Sequence, residues 1–356
     1  MPVRSAPPQC EDPPTIWVIT SYRAGENAQI LALAEALGTG CEVKRIAYRR
    51  LASLSGLLRR VSLAGIDSDQ SSPLRPPWPA LIISAGMRNE PVCRWIRRQS
   101  GGRTRLVFIG RTWAGPDTFD LIVTTPQYRL RPHPHILQNE LTLHGITPQR
   151  LQQAAAGWES RLGHLPEPRI AVVVGGNSGP YTLGPRAARR LGGLVSEMAA
   201  ARGGSLLVTT SARTPPRTIA PLRAALSVPA HFFAWSPDAR DNPYTAYLAL
   251  AREIVVTADS IAMLSEACAT GKPVYLFDPN RRRESHDFRM GGSAYRLLMR
   301  IGPQRLTRDV GRVHARLVAA GHAAWLGESA AGGASAPPDD MARALARVRQ
   351  LLEVNH

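Results

Sequence analysis

Ile170-Ala171-Val172-Val173-Val174-Gly175-Gly176-Asn177-Ser178-Gly179 joins five apolar, mostly β-branched residues to a turn of Gly, Asn and Ser. A continuous apolar run this short, closed by a turn, predicts a strand buried on both faces, as in a parallel sheet. A turn of this composition lets backbone N–H groups approach an anion, and a helix is expected next, whose N-terminus suits a phosphate or diphosphate. An ordinary strand-to-helix turn of an α/β domain is the other reading.

Working outward, short apolar runs alternate with helical spacing. Strands are expected at Thr15–Thr20, Val43–Tyr48, Leu81–Gly86, Arg105–Ile109 and Asp120–Thr124. A first helix should carry Ile30, Leu33, Ala34 and Leu37. After a polar, helical connector over Thr147–Pro168 the series restarts. Strands are expected at Ile170–Val174, Ser205–Thr209, His231–Ala234, Glu253–Thr257 and Pro273–Phe277, with helices near Pro185–Ala201, Thr218–Leu226 and Tyr244–Ala251. The alternation predicts an α/β protein of two Rossmann-type domains whose parallel sheets face a central cleft. The expected limits are a disordered tail at 1–14, an N-terminal, acceptor-side domain at 15–150 and a C-terminal, nucleotide-side domain at 151–326. A linker at 327–338 and a C-terminal helix at 339–356 follow, the helix with an apolar stripe of Met341, Leu345, Val348 and Leu352.

The 356 residues carry 44 basic and 27 acidic side chains, a net +17 spread along the chain. Such an excess favours an anionic partner: nucleic acid, an acidic lipid surface or a phosphorylated substrate. The basic regions lack the interleaved aromatics that stack single strands, so no nucleic acid is expected. Cys10, Cys41, Cys93 and Cys268 form no C-x-x-C pair, which argues against a zinc site or a disulfide framework. The apolar runs are too short to span a bilayer. The expectation is a cytoplasmic protein, able to lie peripherally on the inner membrane. Lys44–Val61, with Arg45, Arg49, Arg50, Arg59 and Arg60 among leucines, is either a membrane-facing stretch or a surface helix over the sheet. Arg281–Arg283, His286 and Arg289 form a basic loop that either binds an acidic acceptor or is solvated, and Pro-His-Pro-His with His133 and His135 reads as a loop feature; no metal and no cofactor are assigned.

A second constellation is Arg252–Val274. A strand ends in small polar residues, and a helix from about Ser260 is stopped by Gly271-Lys272-Pro273. Ser260 either caps that helix or meets a phosphate. Glu266 either accepts hydrogen bonds from a ribose diol or is a solvated helix residue. In Thr210–Pro215, Ser211 and Arg213 follow a strand; Arg213 can take a phosphate or form a structural ion pair. Trp235 is expected in the core, with stacking on a base as the alternative. Asn242 and Pro243 open a helix, which makes Tyr244 a candidate ligand contact.

The strand-GGNSG stretch, followed some eighty residues later by ADSIAMLSEACATGKPV, resembles the C-terminal half of GT-B glycosyltransferases, above all the enzyme adding N-acetylglucosamine to the lipid-linked peptidoglycan precursor. That resemblance implies that Gly175, Gly176, Asn177, Ser178 and Gly179 face a donor diphosphate and that Glu266 holds the ribose. RAGENAQILALAEALG, GGNSGPY, TTSARTP, NPYTAYLALA and VVTADSIAMLSEACATGKPVYLF more specifically resemble the mitochondrial-fission "elongated mitochondria" family and its bacterial members. Ala24-Gly25-Glu26-Asn27 resembles the segment of Kdo transferases whose glutamate is a general base, which makes Glu26 the candidate base and Arg23 and Asn27 candidate substrate contacts; the other readings are a carboxylate placed against the helix dipole and a solvated arginine. The expected function is a metal-independent glycosyltransferase, with a nucleotide-sugar as substrate and a membrane-associated or anionic acceptor. The alternative is a non-catalytic membrane and protein adaptor, whose protein partner the sequence does not name. An NAD-free nucleotide-sugar epimerase is a third reading.

Overall fold

The computed structural model describes residues 15–20, 23–49, 61–239, 241–281, 289–303, 306–328 and 339–353. The chain divides into two compact units. The first takes 1–124, 132–137 and 341–356; the second takes 125–131 and 138–340, so residues 138–150 pack with the second unit rather than the first.

In the first unit the chain runs β1 (Ile16–Thr20), α1 (Ala24–Leu37), β2 (Cys41–Arg45), β3 (Leu81–Ala85), α2 (Glu90–Gln99), β4 (Arg105–Ile109), β5 (Leu121–Thr124) and β6 (Ile136–Gln138). Its described strands form one sheet of order β2-β1-β3-β4-β5-β6. The pairings from β2 through β5 are parallel. Ile16, Val18 and Ile19 of β1 and the whole of β3 are buried, as the apolar runs require. Gly38 ends α1 at φ +73°, a left-handed conformation that glycine adopts without a Cβ penalty.

Strand β2 begins two residues before the expected Val43 and stops at Arg45. Its register is set by β1, from Ile16 against Cys41 to Thr20 against Arg45. It is an edge strand with little apolar signal, and Val43 is exposed. Tyr48 instead makes an isolated bridge with Ile66. Lys44, expected among surface charges, is buried: its ammonium lies 4.3 Å from the Trp17 ring centre and 2.6 Å from Glu42 Oε1. Residues 50–60, the rest of that basic stretch, lie outside the described residues.

The second unit contains α3 (Pro148–Leu162), β7 (Arg169–Val174), α4 (Pro185–Ala200), β8 (Ser205–Thr210), α5 (Pro216–Ala224) and β9 (Ala230–Phe233). There follow α6 (Tyr244–Leu250), β10 (Glu253–Thr257), α7 (Ile261–Cys268), β11 (Val274–Phe277), α8 (Met290–Ile301), α9 (Gly311–Ala319) and β12 (Ala324–Trp325). The sheet order is β12-β11-β10-β7-β8-β9, parallel throughout. Successive residues of a strand point to opposite faces, so β7 supplies two cores. Ala171 and Val173 pack with Tyr247, Leu248, Leu264, Val313 and Leu317 from α6, α7 and α9. Ile170, Val172 and Val174 pack with Ala187, Leu191, Val195 and Leu222 from α4 and α5. Each fully buried Val or Leu contributes about 1.5–3 kcal/mol of transfer free energy. Helices on both faces and this strand order make a doubly wound sheet of the Rossmann type. The chain leaves β7 toward β8 on one side and returns to β10 on the other, which places the topological switch point between β7 and β10.

The helix α10 (Asp340–Glu353) closes the described chain. Its face carries Ala344 and Val348, both fully buried. No helix among the described residues is long and apolar enough to cross a membrane.

Candidate functional site

The C-terminal ends of β7 and β10 lie side by side because Val173 pairs with Val256. Just beyond the ladder, Gly175 N–H donates to Thr257 Oγ1 at 2.7 Å, and Gly176 N–H donates to Asp259 Oδ2 at 3.0 Å. Thr257 in turn donates to Asp259 Oδ1 at 2.7 Å, and Arg213 Nη2 stands 3.0 Å from Asp259 Oδ2. Burial pushes the Asp259 carboxyl up, and Arg213 and the Gly176 N–H oppose that shift. Ser211 Oγ donates to the Gly175 carbonyl at 3.1 Å, while Thr214 Oγ1 also bonds Gly175 O and accepts the Ser211 N–H.

This network explains the two leading glycines of the GGNSG turn. A Cβ on Gly175 would lie 2.3 Å from Asp259 Oδ1, and one on Gly176 would lie 1.9 Å from the Arg213 carbonyl. Both glycines are required by the packing of Asp259 and the β8–α5 loop, and their N–H groups are used inside the protein. The rest of the turn closes on itself. Asn177 Oδ1 accepts the Leu183 N–H, and Ser178 bridges to Tyr181. Gly179, at φ +55°, packs beneath Tyr295. Arg308 donates to Ser178 Oγ, and Arg289 donates to the carbonyls of Gly179 and Tyr181 at 2.6 and 3.1 Å. Arg289, read as part of a basic loop that either binds an acidic acceptor or is solvated, is thus folded onto the turn; residues 282–288 of that loop lie outside the described residues. The helix that follows the turn begins at Pro185, where it was expected.

The helix next to the switch point is α7. Ser260 is its N-cap, is buried, and makes no side-chain cap hydrogen bond, so the first-turn N–H groups are not satisfied by it. One and a half turns on, Glu266 Oε2 accepts a hydrogen bond from the Tyr244 hydroxyl. Burial raises the pKa of the Glu266 carboxyl, with the Tyr244 bond opposing it, and burial beside Glu266 raises that of the phenol. The second unit therefore assembles Gly175, Gly176, Ser211 and Arg213 at one point, with Tyr244 and Glu266 as a pair. Trp235, expected in the core, is 38% exposed, just past β9, with its backbone N–H donating to Thr210 Oγ1 at 2.9 Å.

Arg23, Glu26 and Asn27 belong to the first unit. Arg23 is the N-cap of α1, and its Nη1 lies 3.1 Å from Glu26 Oε1. Glu26 thus occupies the first turn, where a carboxylate complements the helix dipole. The Asn27 N–H donates to the Arg23 carbonyl at 3.0 Å.

Asp259 and Thr257 were missed as site residues. The signal was the T-x-D spacing at the end of a buried strand, where short polar side chains can reach across to the neighbouring strand's turn.

Residues 24–352 match the family described as mitochondrial fission ELM1. The mitochondrial fission protein ELM1 of Arabidopsis thaliana is 28% identical over 220 residues, 56% of this chain and 51% of that protein, so the chain spans about half the length of this curated relative. An uncharacterised protein of Rickettsia prowazekii is 25% identical over 296 residues, 74% of this chain and 83% of that one. Among solved structures, Acinetobacter baumannii MurG aligns with TM-score 0.46 and 13% identity over 95% of this chain and 100% of that one. The Neisseria meningitidis UDP-GlcNAc 2-epimerase bound to UDP-GlcNAc aligns with TM-score 0.46 and 12% identity over 95% and 92%. These scores fall below 0.5, and the fold assignment stands on the two sheets themselves. The match over residues 24–352 is what decides the family: the chain belongs to the mitochondrial fission ELM1 family.

Proposed function

We propose that this chain is a GT-B-type transferase that moves a sugar from a nucleotide donor to a membrane-associated or anionic acceptor without a metal. The observation that carries this reading is the pairing, at the β7/β10 switch point, of Arg213 with Asp259, the residue just ahead of the N-cap Ser260 of α7. Sheets of this order take ligands at that point. A helix N-terminus without a side-chain cap and an arginine whose side chain is 40% exposed are both anion receptors. In this reading Arg213 and α7 hold the donor diphosphate, with Ser211 and Ser260 beside them. Glu266, one oxygen fixed by Tyr244, offers the other to a ribose diol. Glu26 takes the acceptor's hydroxyl proton as the new C–O bond forms, and the sugar–phosphate bond breaks to release the nucleoside diphosphate.

A selective rise in melting temperature with one class among UDP-, GDP-, ADP- and CMP-sugars, lost in Glu266→Ala, is the expected result. The absence of any shift across that panel would overturn the reading. Glu26→Gln should then bind donor normally and fail to turn over.

A second reading, a non-catalytic adaptor, is favoured by one observation: the N–H groups of Gly175 and Gly176 are used by Thr257 and Asp259. The same panel separates the two, since an adaptor shows binding to lipid vesicles or to a protein and none to nucleotides.

A further inference from the structure

We propose that the first unit holds a site for a first-row divalent metal, with Zn2+ as its best fit, made by Asp117, His133 and His135. One ligand atom from each of the three lies within 4.8 Å of the others, and His133 Nε2 is 3.3 Å from Asp117 Oδ1. Two imidazoles and one carboxylate are the donor set that zinc accepts, with a fourth position left for water. Harder ions such as Mg2+ favour all-oxygen shells, so this set selects against them.

The surroundings prepare the ligands. His133 and His135 flank Pro134 and follow Pro132, so the backbone between the two rings has little freedom to lose. The rings stand edge to face, 5.3 Å apart. His135 Nδ1 faces the Pro116 carbonyl at 3.4 Å. A proton held there leaves the Nε2 lone pair for the metal, the outer hydrogen bond that zinc-bound histidines commonly make. Asp117 is 84% exposed, and its carboxylate already faces His133 Nε2. His133 Nδ1 accepts the His135 N–H at 3.3 Å, which places the His133 proton on Nε2. Coordination through Nε2 moves that proton to Nδ1 and exchanges the long amide contact for a metal bond. The metal would tie the short 3-10 turn Pro116–Thr118, between β4 and β5, to the lead-in of β6.

The test is titration of tag-free, chelator-stripped protein with ZnCl2, followed by calorimetry and by thermal melting. One equivalent should bind and raise the melting temperature. His133→Ala and Asp117→Asn should each weaken binding by at least about tenfold, with melting in chelator unchanged. Co2+ in place of Zn2+ should give a visible spectrum that is lost in His135→Ala. Binding of no Zn2+, or binding equal in wild type and His133→Ala, would overturn the proposal.

Discussion

Arg213 and Asp259 form an ion pair of unequal exposure: the guanidinium Nη2 is 3.0 Å from Oδ2, with 40% of the arginine side chain exposed and 1% of the aspartate. Removal of Arg213 leaves a buried carboxylate with hydrogen bonds from the Gly176 N–H, the Thr257 hydroxyl and its own backbone N–H, but no opposite charge beside it. Arg213→Ala should cost about 2–3 kcal/mol near neutral pH. Asp259 has a raised pKa in the fold, and loss of the arginine raises it further. An acid with a raised folded pKa contributes stability below its unfolded pKa and loses it as pH rises. The variant should therefore regain stability on acidification more steeply than wild type. Urea unfolding at neutral and mildly acidic pH measures this, and parallel pH profiles would count against it.

His314 works in the opposite sense. It is buried between Tyr181 and Trp325, its Nδ1 is 3.4 Å from the Tyr181 hydroxyl, and burial lowers its pKa from 6.5 to about 4. The unfolded chain binds its proton first, so this site destabilises the fold as pH falls from 6.5 toward 4. Over that interval wild type should lose about 3 kcal/mol more than His314→Gln. The acids with raised pKa values are common to both proteins and cancel in the difference.

Glycine substitutions should separate packing from helix propensity. Gly176→Ala drives a Cβ to 1.9 Å from the Arg213 backbone carbonyl and should cost about 3 kcal/mol or more. Gly157, in α3, has nothing within 4 Å of its notional Cβ. Gly157→Ala should stabilise by about 0.5–1 kcal/mol. Melting temperatures that move in the same direction in both variants would refute the contrast.

Tyr244→Phe removes the hydroxyl that bonds Glu266 Oε2. Its expected cost is about 1.5–3 kcal/mol, because the acceptor is a buried carboxylate. If Glu266 holds a ribose, the variant should also show a smaller nucleotide-sugar shift than wild type, while Glu266→Ala shows none.

The strands legible in the sequence were those buried on both faces. Arg105–Ile109 and Glu253–Thr257 match their expected limits, and β3 and β7 differ by one residue, because uninterrupted apolar runs have one stable placement. Edge elements were harder. β2 was misplaced and β12, two residues long, went unseen, since neither carries more than a fragment of an apolar pattern. The amphipathic helices α8 and α9 were also missed, in a segment read chiefly for its arginines. At the site, the residue types were readable and their partners were not. Nothing local to Gly176 announces that its N–H will be taken by a carboxylate 83 residues away.

The division of the chain bears on how the protein is made. Residues 1–124 share a compact unit with 341–356, and the whole of 138–340 intervenes. Domains usually fold as they leave the ribosome, in order of synthesis. Here the unit that emerges first is the one finished last, and it must wait through some two hundred codons for Ala344 and Val348. A premature stop ahead of those residues would strand an open apolar surface on the early unit.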